Sequence, residues 1–150
     1  MFEEYESRHG KIKKLPLYQK GKEIMEVILQ ITELIPEDEV HLNTIKRIML
    51  EDARVLTVKV VGAEAGDLYD LRMECATIIR KAALNLKVQN HSLEMFGFEH
   101  TGYFDIVRKL IDEYRLLFID WVAGFDKWNY VVDNWGLFNP PGIGPDDEEK

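Results

Sequence analysis

Residues 103–135 read YFDIVRKLIDEYRLLFIDWVAGFDKWNYVVDNW, and their apolar positions decide the fold. Val107, Tyr114, Trp121, Trp128 and Trp135 recur every seven residues. Tyr103, Leu110, Leu117, Gly124 and Val131 make a second row, and Phe104, Ile111, Phe118, Phe125 and Val132 a third. Three heptad rows give one long helix a wide apolar face, which needs several helical neighbours to cover it. The pattern predicts a helix of roughly 33 residues, near 50 Å long, running to about residue 135. Thr101 is placed to cap it. Gly124 is its weak point, because an interior glycine costs about 1 kcal/mol against alanine.

Upstream, prolines stand at 16 and 36 and then not again until 140, 141 and 145. Pro16 suits a first helical turn. From it, Leu17, Ile24 and Ile31 form one heptad row and Gly21, Ile28 and Ile35 another, until Pro36 stops the helix. A second helix is predicted over about 39–65, where Leu42, Ile45, Met49, Ala53, Leu56, Val60 and Ala63 follow 3-4 spacing. Its β-branched residues at 55, 57, 58, 60 and 61 lower helix propensity, but the spacing persists and no partner strand offers itself. Asp67 is the expected cap of a third helix, with Leu68, Leu71, Cys75, Ile78 or Ile79, Ala82, Leu86 and Leu93 as its stripe. Four helices with short connections predict an all-α chain: an antiparallel up-down four-helix bundle over residues 15–135. A flexible basic arm (1–14) precedes it. A non-helical C-terminal tail (136–150), extended by its prolines and ending in acids that favour disorder, follows it.

Composition narrows the function classes. At 150 residues and 46% hydrophobic, the chain is one domain able to build its own core. Cys75 is the single cysteine, which excludes an intramolecular disulfide and fits a reducing, cytoplasmic setting. The opening MFEEYESRHGKIKKLP has acids and no apolar run, unlike a secretory signal, and Asp120 interrupts the most apolar stretch, so no membrane span is expected. The net charge of −8 disfavours broad binding to nucleic acid, although residues 41–90 carry eight bases against six acids.

Candidate chemistry is sparse. His91 and Glu94 share a helical face, which alone is too little for a metal site. Glu23 with Glu26, Glu64 with Asp67, and Asp67 with Asp70 have the one-turn spacing of magnesium-binding carboxylates, and a small-molecule or nucleotide site requires them to face inward. Cys75 lies in an apolar stripe, as a structural thiol does. Gly142-Ile143-Gly144 precedes Pro145 and acids, which repel phosphate. Asp52 and Arg72 are candidates for an ion pair across the bundle, with Arg54 or Glu74 beside it. No catalytic residue, metal or cofactor is expected, and the chain reads as non-enzymatic.

The sharpest candidates for function are apolar. Trp128, Tyr130, Trp135, Leu137 and Phe138 cluster where the chain leaves the helix, as an element for self-association or for docking a protein partner. The competing reading folds this tail back onto its own bundle. A second hypothesis, a nucleic-acid accessory protein, requires Lys46, Arg47, Arg54, Arg80 and Lys81 to converge on one face.

Residues 15–39, LPLYQKGKEIMEVILQITELIPEDE, resemble the opening helix of the bacterial four-helix-bundle family known as the 23S rRNA intervening-sequence proteins. The resemblance rests on Tyr18-Gln19-Lys20, the apolar heptads and the Pro36 end, followed by Ile45-Lys46-Arg47 and later Phe96-Gly97-Phe98. Val61-Gly62-Ala63-Glu64-Ala65-Gly66 stands where the family has an Asn-Ile-Ala-Glu-Gly type of ending. The family includes the basic, nucleic-acid-binding accessory proteins of diversity-generating retroelements. The resemblance implies a four-helix bundle that forms homo-oligomers.

Overall fold

The computed structural model describes residues 2–148, with side chains from Ser7 onward. Those residues form five α-helices and no strand: α1 (Phe2–Lys13), α2 (Pro16–Thr32), α3 (Val40–Gly66), α4 (Tyr69–Met95) and α5 (Phe104–Ala123). A 3-10 turn, Thr101–Tyr103, leads into α5. α3 packs along α4 and α2, and α5 packs along α2 and α4. α1 rests on α2 and α3.

Most of the rows read from the sequence in α2 and α3 become core, whereas Leu71 of the α4 stripe and Tyr103 and Val131 of the ladder are exposed. Leu17, Gly21, Ile24, Ile28, Ile31 and Ile35 are all buried, as are Leu42, Met49, Ala53, Leu56, Val60 and Ala63. Val55, Thr57, Val58 and Val61 stand at the edges or outside of α3. Burial of one face therefore overrides the low helix propensity of that segment. From α4 come Ile79, Leu86 and Leu93, and from α5 come Phe104, Val107, Ile111 and Tyr114.

Gly21 sets the distance between α2 and α3. A β-carbon there would lie 2.8 Å from the Leu56 carbonyl oxygen and 3.1 Å from Thr57 Cγ2. The same carbonyl accepts a 2.8 Å hydrogen bond from the Tyr114 hydroxyl of α5. Tyr114 is buried, and burial pushes its hydroxyl well above the ordinary tyrosine range. At the surface, Lys20 ties α2 to α5 through Glu113 at 2.8 Å while also holding Glu23.

Several expectations are corrected. The ladder helix ends at Ala123, not near 135, so Trp128 and Trp135 leave it. Gly124 is followed by Asp126, whose side-chain oxygen accepts the Trp128 amide at 2.9 Å and turns the chain. The basic arm is helical over 2–13, and Ile12 is buried against the bundle. Asp67 does not cap α4. It ends α3 in the left-handed region at φ 50°, which aspartate tolerates better than most residues. Thr101 opens the 3-10 turn and makes no capping side-chain bond. The tail expected to be extended is a run of turns, closed by Ile143 N to Pro140 O and Asp147 N to Gly144 O. Met1 and the last two residues lie outside the described residues.

Gly21→Ala should lower stability by about 2 kcal/mol, because the backbone oxygen it meets cannot rotate away. Tyr114→Phe should lower it by about 1 kcal/mol. Urea unfolding followed by circular dichroism measures both, and an unchanged Gly21→Ala midpoint would contradict the close approach.

Candidate interaction surface

The C-terminal segment is built onto the bundle from α5 outward. Phe125 is buried beneath the guanidinium of Arg72, whose centre lies 5.3 Å from the ring centroid. It also meets Trp121 edge-on at 4.7 Å. Trp121 Nε1 donates to Glu64 at 2.7 Å, and Arg72 holds Asp67 at 2.8 Å and Glu64 at 3.5 Å. Arg72 therefore does not pair with Asp52. It sits in the first turn of α4, beside the end of α3. Asp52 instead accepts a 3.1 Å hydrogen bond from Gln89, and desolvation holds its carboxyl above the ordinary range.

Beyond Phe125 the chain is clamped to the α3–α4 turn. Asn129 accepts the Tyr69 amide at 2.7 Å, and its side-chain amide donates to the Asp67 carbonyl. Val131 N donates to Asp70 Oδ1 at 3.1 Å. α4 has no side-chain cap of its own, so Asn129 satisfies an amide that a helix start leaves orphaned. Asp133 then organises the next loop. Its carboxylate accepts the amides of Trp135, Leu137 and Phe138, each at 2.9 Å. The Asn139 side chain accepts the Asp133 amide and donates to the Asp133 carbonyl. Gly136 turns the loop at φ +72°, a conformation that suits glycine. The Phe138, Trp135 and Leu137 amides together hold the Asp133 carboxyl below the ordinary range.

This framework presents Trp128, Trp135 and Leu137 to solvent, at 85%, 89% and 74% exposure. Tyr130 and Phe138 are partly buried. Tyr130 packs on the small cluster of Tyr69, Ala76 and Phe125, and Phe138 lines a hollow with Asp70 and Glu74. The segment both folds back and displays apolar side chains, Val131 among them at the edge of exposure.

The basic candidates divide. Lys46 is half-buried and Arg47 and Arg54 are exposed on α3. Lys81 lies close enough to Asp52 to act on its charge, which puts it toward α3, while Arg80 lines the opposite edge of α4. Glu23, Glu26 and Asp67 are exposed, Glu64 is occupied by Trp121 and Arg72, and Asp70 holds Val131. His91 comes within 4.0 Å of Glu94. Among the described residues no three metal-ligating side chains converge. Cys75 is half-buried, and desolvation pushes its thiol up.

One feature escaped the sequence reading. Between α4 and α5 lies a groove of about 370 Å³. Its walls include Ile79, Ala83, Leu84, Ile111, Phe118 and Ile119, with Arg80, Lys87 and Arg115 along the rim. The available signal was an excess of apolar residues: Ile119 falls outside all three rows of the ladder, and Leu84 lies outside the α4 stripe.

No protein-family model, curated protein or solved structure matches this chain.

Removing the Asp133 carboxylate should release the loop without unfolding the bundle. Asp133→Ala should speed hydrogen exchange at the Leu137 and Phe138 amides by at least about tenfold and leave the amides of α3 unchanged. The folded carboxyl titrates below its unfolded value of about 3.9, so its contribution is complete above that pH. It is lost as pH falls through the folded value. Amide exchange read across that acid range tests the sign.

Proposed function

We propose that the chain is a non-enzymatic, oligomeric scaffold or protein-interaction module that docks through Trp128, Trp135 and Leu137. The supporting observation is two nearly fully exposed tryptophans on a loop fixed by side-chain-to-backbone hydrogen bonds. Contiguous exposed apolar surface marks contact sites, and tryptophan is enriched among the residues that dominate binding. A loop already held in place loses little further freedom on docking. Tyr130 and Phe138 support the display from beneath.

In this reading α2–α5 form an antiparallel up-down four-helix bundle. Two residues link α3 to α4, which favours reversal. Asp52 faces Gln89 and Gly62 faces Cys75, so the positions run in opposite senses along that pair. Leu56 with Tyr114 and Glu64 with Trp121 run in the same sense, as diagonal helices do. The resemblance to the intervening-sequence proteins carries the same expectation of self-association. The placement of Arg80 and Lys81 on different edges of α4 weighs against a nucleic-acid face. The single unpaired cysteine favours the cytoplasm, and among the described residues no helix is long and apolar enough to cross a membrane.

Size-exclusion chromatography with light scattering, recorded at 260 and 280 nm, tests the reading. A protein-only oligomer is expected, and Trp135→Ala/Leu137→Ala should reduce it to monomer with an unchanged thermal midpoint. Association that survives the double substitution contradicts the assigned surface. A peak rich in 260 nm absorbance returns nucleic acid to the front.

A further inference from the structure

We propose that the groove between α4 and α5 is the receptor for the C-terminal segment of a second copy of this chain, with Trp135 and Leu137 entering it and the following acids meeting its rim. The inference rests on the reading of that segment as a docking element.

The groove and the segment are complementary in kind and in order. The groove has an apolar floor of Ile79, Ala83, Ile111 and Phe118 and a rim carrying Arg80, Lys87 and Arg115 against one acid, Asp112. Lys87 is engaged with Asp112 at 2.8 Å. The side chains of Arg80 and Arg115 make no hydrogen bond or ion pair among the described residues. Two uncommitted guanidiniums beside an apolar trough are notable in a chain of net charge −8. The segment offers the reverse pattern: exposed Trp135 and Leu137, then Asp146, Asp147, Glu148 and Glu149 ahead of Lys150. A trough of about 370 Å³ is at the small end of the roughly 300–1,000 Å³ range of ligand pockets, a size for one or two large side chains.

A second hollow is a poorer receptor. Leu34, Phe96 and Phe98 at the opposite end line a hollow with Glu39 and Glu99, which repel an acidic segment. The segment does not serve its own groove either. Its loop stands beside Asp70 and Glu74, and none of residues 124–148 lines the α4–α5 trough. The joint therefore links two different surfaces of two copies.

Because the surfaces differ, each can be disabled separately in the full chain. Trp135→Ala/Leu137→Ala removes the entering side chains, and Leu84→Glu/Ile119→Glu places acids at half-exposed positions of the groove. Light scattering should find each variant monomeric alone and an equimolar mixture forming a one-to-one heterodimer, because each retains the surface the other lacks. Arg80→Glu/Arg115→Glu should weaken wild-type association more than about tenfold at low salt, with a smaller effect at high salt. This second pair, confirmed folded by circular dichroism, decides the matter if the first groove variant does not fold. If both groove variants associate as the wild type does, or the mixture stays monomeric, the inference falls and the docking role of the segment stands. A wild type that is monomeric at every concentration overturns both the inference and the oligomeric reading.

Discussion

The Leu56 carbonyl is where three helices are held to one another. Gly21 of α2 passes over it with no room for a β-carbon, and Tyr114 of α5 reaches it with a buried hydroxyl. A helix as rich in β-branched residues as α3 has little reason to be helical alone. It is helical here because α2 seals one flank and α4 another, while α5 contributes the hydroxyl. The depth at which α2 lies governs how far Ile24 and Ile28 penetrate. It also governs where Lys20 meets Glu113 at the surface.

The far end of the molecule is organised by polar contacts. The α3–α4 turn holds Asp67 in a left-handed conformation and leaves α4 without a cap from its own chain neighbourhood. Both are met by one residue some sixty positions away: Asn129 supplies an acceptor for Tyr69 and a donor for Asp67. Arg72 draws the two ends together, holding Glu64 and Asp67 of the turn while covering Phe125. The exposed tryptophans thus stand on a base fastened at several points.

The helices were largely legible because burial follows heptad spacing: every member of the two rows of the first predicted helix is buried, although α2 ends at Thr32 and Ile35 lies just beyond it. The end of α5 was not legible from those rows. Val131 and Val132 continue the spacing through Trp128 and Trp135 by coincidence, whereas the stop is set by Gly124 and the Asp126 side chain. Arg72 is a candidate partner of Asp52 because both approach the core edge, but the start of α4 at Tyr69 places it next to Glu64, while Asp52 meets Gln89 farther along the same helix. Of the five aromatic and apolar candidates of the tail, Trp128, Trp135 and Leu137 are exposed, whereas Tyr130 and Phe138 are partly buried. Their division into supports and displayed side chains depends on the Asp133 and Asn129 contacts, which no local pattern encodes. The groove is lined by residues of two helices that are distant in sequence, so it is a property of the pair.

The contact between Asn129 and the start of α4 has a mechanical meaning. A load applied to Trp128 passes along a single residue to the peptide group that receives the Tyr69 amide, and so into the axis of α4. Whatever grips the loop also steadies the opening turn of that helix, and whatever loosens that turn slackens the grip. The exposed loop and the opening turn of α4 are therefore held through one shared peptide group.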